Sequence, residues 1–344
     1  MKLRRIFATL LIVLLTLSLT ACSQKDTLSD VPEELRPYVT PWKLDVVRKA
    51  ADNKELHFYF MSGEGFEASP GNTRGQTEKW GDCCLVVFPD GQTMLIDSGF
   101  EVYSPILMQN LKRMGIEKLD YVMLSHPHTD HYGGFFAPEG VLKNIPVGQA
   151  YHNGYNKSMH QRFGAYNVPL QTLLTGDTLT IGGVKLTVLS PDQNQLDHPT
   201  ESNKVTNENN ASLVVRMDYG EFSALFTGDL YVGEERRLVK EYAASGLLNV
   251  DFLKLPHHGD STSSTLEFAN AVTPKLAAAT GAVPINNTIY MRYAQYAETV
   301  LHDLNDGYVH VWSDGSNSCQ WETSRERGTD VYDAYDAMPK KSTD

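Results

Sequence analysis

Between positions 126 and 131 the chain reads His126-Pro127-His128-Thr129-Asp130-His131, four ligand-type side chains in six residues. Imidazole and carboxylate groups are what a divalent ion such as zinc takes at short, fixed distances. A tight turn aims alternate side chains at neighbouring points, so His126 and His128 are placed to grip one ion, and Asp130 and His131 a second. Two more groups of the same chemistry follow later, in Thr227-Gly228-Asp229 and in Leu255-Pro256-His257-His258-Gly259. Such a density is hard to reach by chance, whereas His57, His152, His160, His302 and His310 stand singly and read as packing or surface residues. Asp97, in Ile96-Asp97-Ser98-Gly99, reads on its own as a turn residue. Cys83 and Cys84 are neighbours and in a strand point to opposite faces, so they suit a core better than a shared metal.

Each of these groups follows an apolar run of strand length. Asp120–Ser125 ends at His126, Phe222–Phe226 precedes Asp229, and Phe252–Leu255 precedes the His257-His258 pair. Strand ends of an α/β fold are a common place for a cleft. Further strands are predicted at Leu56–Met61, Cys83–Phe88, Thr93–Ile96, Val184–Leu189, Ser212–Met217, Tyr308–Trp312 and Ser318–Glu322. Pro89-Asp90-Gly91-Gln92 between two apolar runs predicts a hairpin. Helices are predicted at Pro105–Met114, Gly233–Ala244 and Tyr293–Leu304, with a weaker one near Leu44–Ala51. This order predicts an α/β sandwich with helices outside packed sheets.

The 344 residues carry a formal net charge of −12, which excludes a basic surface made for tight, non-specific nucleic-acid binding. A phosphate substrate stays open, because bound metal ions supply local positive charge. Lys2, Arg4 and Arg5 precede an apolar run from Ile6 to Leu19 and then Thr20-Ala21-Cys22. A basic start, an apolar run too short for a full span and a small residue before a cut describe a secretory signal. The cysteine after that cut resembles a bacterial lipobox, which implies a lipid anchor on Cys22 at the cell surface or the outer membrane face. The expected organisation is a signal at 1–21, a tether at 22–54, one folded domain at 55–323 and a polar tail at 324–344.

His126-x-His128-x-Asp130-His131 resembles the signature of the metallo-β-lactamase superfamily, and the motifs around Asp97, Asp229 and His257-His258 resemble its other motifs. Gly81-Asp82, Asn209-Asn210-Ala211-Ser212 and Lys254-Leu255-Pro256-His257-His258-Gly259 are similar to the soluble domain of the ComEC-type competence proteins. The resemblance spans about residues 55–322. It implies an αββα sandwich holding two divalent metal ions, zinc or manganese, in a cleft. By that pattern His126 and His128 bind the first ion, Asp130, His131 and His257 the second, and Asp229 bridges them. Asp97 orients a ligand histidine, as the acceptor for its other N–H. Many members carry a third histidine just before the strand that starts here at Ser212. This chain has Asn207-Glu208-Asn209-Asn210, so Asn210, a water or the more distant His198 would fill that place. Oxygen donors there favour manganese.

The resemblance implies a hydrolase that activates water, with Asp130 orienting the attacking group and His258, Ser261 or Thr262 assisting the leaving group. A phosphodiesterase acting on nucleic acid, nucleotides or cell-surface phosphodiesters is the first expectation. Hydrolysis of a lactone, thioester or amide is the second, and a non-catalytic ligand- or metal-binding lipoprotein the third. Fold resemblance alone does not choose the substrate. No protein partner is indicated. The segment with Tyr151, His152, Tyr155, Lys157, Arg162, Phe163 and Tyr166 either lines a cleft that stacks bases or sugars, or packs on itself.

Overall fold

The computed structural model describes residues 28–29, 31–43, 45–62, 80–155, 157–281 and 285–325. The expected signal, Cys22 and the tail beyond residue 325 lie outside the described residues. The chain divides into two compact units, Met1–Pro37 and Tyr38–Asp344. In the first, the Arg36 guanidinium donates to the carbonyls of Leu28 and Val31. The second takes in the helix Val46–Asn53, which the sequence had placed in a tether.

Among the described residues fifteen strands form two sheets. They are β1 (Leu56–Phe60), β2 (Cys84–Val87), β3 (Thr93–Ile96), β4 (Leu119–Leu124), β5 (Val147–His152), β6 (Leu170–Thr172), β7 (Thr178–Ile181), β8 (Val184–Ser190), β9 (Val214–Tyr219), β10 (Phe222–Phe226), β11 (Phe252–Lys254), β12 (Leu276–Ala279), β13 (Thr299–His302), β14 (Val309–Ser313) and β15 (Gln320–Thr323). The first sheet runs β15-β14-β1-β2-β3-β4-β5-β6 and the second β13-β12-β11-β10-β9-β8-β7. In each sheet one half is antiparallel and the other parallel, with β3 to β6 and β10 to β13 as the parallel runs. The chain therefore leaves β3, β4, β10, β11 and β12 at carboxyl ends of parallel strands, where ligand-binding loops of open sheets gather.

The sheets pack face to face because alternate side chains of one strand point the same way. Phe58 and Phe60 of β1 meet Phe226 and Phe252 of the other sheet, with ring centroids 5.3 to 6.1 Å apart. On the outer face of the second sheet, Leu225, Leu253, Ala277 and Val300 pack with Leu238, Phe268, Val272, Ile289 and Tyr293. Those partners come from the helices Val232–Tyr242, Leu266–Val272 and Asn287–Ala294. The helix Ser104–Arg113 buries Ile106, Leu107 and Leu111. The result is the αββα sandwich. The hairpin after β2 forms as expected, with Phe88 N–H on Gln92 O and Gly91 at φ +86°.

One predicted helix is corrected. Tyr293–Leu304 is not continuous: the helix Asn287–Ala294 stops, and Thr299–His302 becomes β13, parallel to β12. The β-branched pair Thr299-Val300 suits that buried pleated position better than a helix.

Candidate metal centre

β4 delivers Ser125 and His126 to the end of the first sheet, and β3 delivers Asp97 beside them. Asp97 sits at φ +55°, a conformation that a short polar residue tolerates better than most. Its Oδ1 accepts the Ser125 N–H at 2.8 Å, and its Oδ2 accepts the Ser125 Oγ–H at 2.7 Å. The same Oδ2 lies 2.8 Å from His131 Nδ1. That contact assigns the proton to His131 Nδ1 and leaves Nε2 as the outward donor. Ser125 Oγ also faces His126 Nδ1 at 3.0 Å.

His131 rides on a helix, Thr129–Phe136, rather than in a bare turn. Its backbone lies on Ser98–Glu101 because Gly133 and Gly134 leave no side chain between them. A Cβ at Gly133 would stand 2.3 Å from Glu101 N, and one at Gly134 2.2 Å from Ser98 O. Two glycines thus set how close Asp130 and His131 come to β3.

The second sheet completes the centre. After β10, Asp229 is held by its N–H on Ser212 Oγ at 3.0 Å. Its Oδ2 lies 3.0 Å from His131 Nε2, 3.2 Å from His258 Nε2 and 3.9 Å from His126 Nε2. Asp130 Oδ2 is 3.6 Å from His258 Nε2 and 3.9 Å from His131 Nε2. Both imidazoles, His131 and His258, therefore lie within 3.0 to 3.9 Å of both carboxylates, Asp130 and Asp229.

Of the His257-His258 pair, the backbone brings His258 closer to Asp229 than His257. Both residues are left-handed, at φ 44° and 57°, a conformation that costs on the order of 1 kcal/mol or more per non-glycine residue. The turn buries His258, whose Nδ1 lies 2.9 Å from Thr280 O and so leaves Nε2 toward Asp229. His257 is less buried, with 21% of its side chain exposed, its Nε2 4.0 Å from Asp229 Oδ2, its Nδ1 on Thr262 Oγ1 and its ring 4.8 Å from Tyr231. Asn210 supports the Tyr231 backbone. Its Oδ1 accepts the Tyr231 N–H at 3.2 Å. His198 is exposed and lies 3.2 Å from Asn194 O.

Three residues had no assigned role in the sequence. Buried Asp82 joins His131, Asp229 and His258 as a donor within 4.8 Å of the others. Buried Lys254 pairs with Asp82, lies 3.6 Å from Asp229 Oδ1 and donates to Gly228 O at 3.2 Å. Glu208, from the helix Lys204–Asn210, puts Oε2 3.3 Å from His128 Nε2. Asp82 and Lys254 stand inside the Gly81-Asp82 and Lys254-Leu255-Pro256 motifs, which was the available signal.

The electrostatics fit a bound cation. Burial would raise the Asp229 carboxyl, but His131, His258 and Lys254 outweigh it and hold it well below the usual range. Asp130 is lowered against burial by His131 and His258, and Asp82 by Lys254 and His258. Burial would lower both imidazoles, yet Asp229 with Asp97 and Asp130 holds His131 well above its ordinary value, and Asp229 with Asp82 does the same for His258. The carboxylates attract positive charge strongly enough to keep protons on buried rings, and a metal ion displaces such protons when it binds. At the centre, the buried atoms His126 Nε2 and Asp229 Oδ1 have no hydrogen-bond partner. An ion satisfies such atoms, since buried polar groups rarely stay unpaired.

The aromatic segment is mostly packing. Tyr151 and Phe163 are buried, and Phe163 sits 5.0 Å from Phe136. Arg162 turns outward over Tyr132 and Phe136, at 4.7 and 4.6 Å from the ring centroids. With Phe100, Glu101 and Thr129 they line a recess of about 200 Å³ on the helix that carries Asp130 and His131.

The family described as the metallo-beta-lactamase superfamily matches residues 81–279. ComE operon protein 3 of Bacillus subtilis is 29% identical over 246 residues, covering 69% of this chain and 29% of that protein. Competence protein ComA of Neisseria gonorrhoeae is 32% identical over 176 residues, covering 50% of this chain and 21% of that protein. The chain thus spans less than a third of the length of either relative. Among solved structures, the metallo-beta-lactamase fold protein YhfI from Bacillus subtilis aligns with a TM-score of 0.46 and 13% identity, over 72% of this chain and 95% of that one.

Proposed function

The chain belongs to the metallo-beta-lactamase superfamily, and we propose that it is a metal-dependent phosphodiesterase working with two divalent ions. The observation that carries the reading is the meeting of Asp130, His131, Asp229 and His258, in which each imidazole Nε2 lies 3.0 to 3.9 Å from both carboxylates. These four would hold one ion. His126 and His128 would hold the other, with Asp229 between the two. Bound there, divalent ions acidify water toward neutral pH and offset charge on the attacked group.

The chain's own residues supply the rest. Asp97 and Thr280 O fix which nitrogen of His131 and His258 points inward, so both rings present a lone pair. With Asp130 Oδ2 toward His131 and His258, the other oxygen of this side chain, 26% exposed, accepts a hydrogen bond from the attacking water and so orients it. The leaving-group role expected of His258 passes to the rim: His257, braced by Thr262 and Tyr231, faces the opening and donates a hydrogen bond to the substrate. Arg162, 4.7 and 4.6 Å from the Tyr132 and Phe136 ring centroids, offers its guanidinium to an anionic group of the substrate.

A substrate panel tests the bond type. Bis(p-nitrophenyl) phosphate turned over in preference to a chromogenic β-lactam, a lactone and a thioester supports the reading. Turnover of any of those three without phosphodiester cleavage replaces it, and metal binding without any turnover supports a binding lipoprotein instead.

The same reading places the protein on the outer side of a membrane through a lipid on Cys22. Among the described residues no helix is long and apolar enough to cross a membrane. Labelled fatty acid is expected in the wild-type protein and not in Cys22→Ala. Equal labelling of both contradicts the anchor.

A further inference from the structure

We infer that Lys254 is a positioning residue for Asp229: its buried ammonium takes one carboxylate oxygen, so that the other alone faces the imidazoles and is shared between two ions. The inference rests on the two-ion reading above. The two oxygens of Asp229 have different surroundings. Oδ2 lies 3.0 Å from His131 Nε2, 3.2 Å from His258 Nε2, 3.9 Å from His126 Nε2 and 4.0 Å from His257 Nε2. Oδ1 is buried without a hydrogen-bond partner, and the cation it meets is Lys254 Nζ at 3.6 Å. An ammonium has three N–H donors. One goes to Asp82 and one to Gly228 O, which leaves Asp229 Oδ1 as the acceptor in reach of the third. Gly228 O also accepts the His257 N–H at 3.2 Å. From β11, Lys254 thus holds two consecutive residues that follow the neighbouring strand β10. Asp82 anchors the far side of the ammonium, and its own Oδ1 accepts the Thr280 hydroxyl and lies 3.3 Å from His258 Nδ1.

Stability alone does not explain this arrangement. Lys254 and Asp82 are both buried, and a buried ion pair is often replaced by apolar side chains at no cost to a fold. A fixed ammonium beside a metal centre also repels the ions that bind there. It serves the centre by restricting Asp229. A carboxylate with both oxygens free can close on a single ion, whereas one with an oxygen held by an ammonium has only the other to offer.

The test is manganese uptake by the whole protein, read without activity. Lys254→Met alone leaves Asp82 as an unpaired buried charge, so the comparison is between Asp82→Asn and the double variant Asp82→Asn/Lys254→Met. Melting curves check that both fold. Each is titrated with manganese, and spin resonance reports whether two ions sit together. Wild type and Asp82→Asn are expected to take two ions with a coupled spectrum. In the double variant the first ion is expected to bind at least as tightly, because a positive charge has left. The second is expected to weaken at least about tenfold, and the coupled spectrum to disappear. Lys254→Gln, compared with wild type, carries the same expectation should the double variant fail to fold. A second ion of unchanged affinity with its coupled spectrum overturns the inference and leaves the proposed function standing. So does equal weakening of both ions, the mark of a merely structural lysine, and so does loss of the pair already in Asp82→Asn. A wild type that takes fewer than two manganese ions overturns both readings.

Discussion

Asp97 shows how much one side chain decides at this centre. Its carboxylate holds the end of β4 through Ser125 and sets the tautomer of His131. Asp97→Asn keeps the shape but can turn an N–H toward His131. Metal affinity is expected to fall about 10- to 100-fold, measured by competition with a chelating dye. Unchanged affinity would show that His131 needs no such partner. The His257-His258 pair offers a sharper contrast. Adjacent histidines are identical in type, so the sequence carried no signal for which one turns inward. The answer lies in two successive left-handed residues and in Thr280 O, which lies 22 positions away. His258→Ala is expected to lose metal, whereas His257→Ala is expected to keep its metal and lose turnover. Metal loss in His257→Ala alone would restore the assignment the sequence favoured.

Most strands were legible because β-branched and aromatic runs with turn residues at their ends have few other solutions, as in Leu56–Phe60 and Phe222–Phe226. Two elements were hidden by residues that vote the other way. Leu276-Ala277-Ala278-Ala279 has helix-forming composition, yet it is a buried strand between β11 and β13. Thr129–Phe136 contains two glycines that disfavour a helix by about 1 kcal/mol each, yet it is helical because those glycines let it lie on Ser98–Glu101. Gly134→Ala, with its Cβ 2.2 Å from Ser98 O, is therefore expected to destabilise the fold by about 2 kcal/mol or more despite alanine's better propensity. Denaturant melts check this, and a stabilised variant would contradict the close packing. His126, His128, Asp130 and His131 stood out as candidate ligands by their density. Glu208 and Asp82 were not, because single acids far away in sequence reach the centre only through the fold.

The molecule as a whole also couples its stability to pH away from the metal centre. Across β1, β14 and β15, His57 Nδ1 lies 2.9 Å from His310 Nε2, and His310 Nδ1 lies 2.8 Å from Glu322. Burial, then the neighbouring His310, pushes His57 down to about 3, and burial lowers His310 too. The unfolded chain takes up these protons near pH 6.5 and the fold refuses them until lower pH. This contribution is complete above about pH 6.5 and is lost as pH falls toward 3. Melts from pH 7 to 4.5 are expected to show stability falling with acid, and less steeply in the His57→Phe/His310→Phe double variant. Equal slopes would remove the pair from the balance. For function, the deciding measurement is metal content and bis(p-nitrophenyl) phosphate hydrolysis of the chain from Ser23 onward, with zinc and with manganese, beside Asp229→Ala. Two ions per chain and turnover in the wild type, with both reduced in the folded variant, are the predicted result. A folded wild type that binds no metal would contradict the metal centre itself.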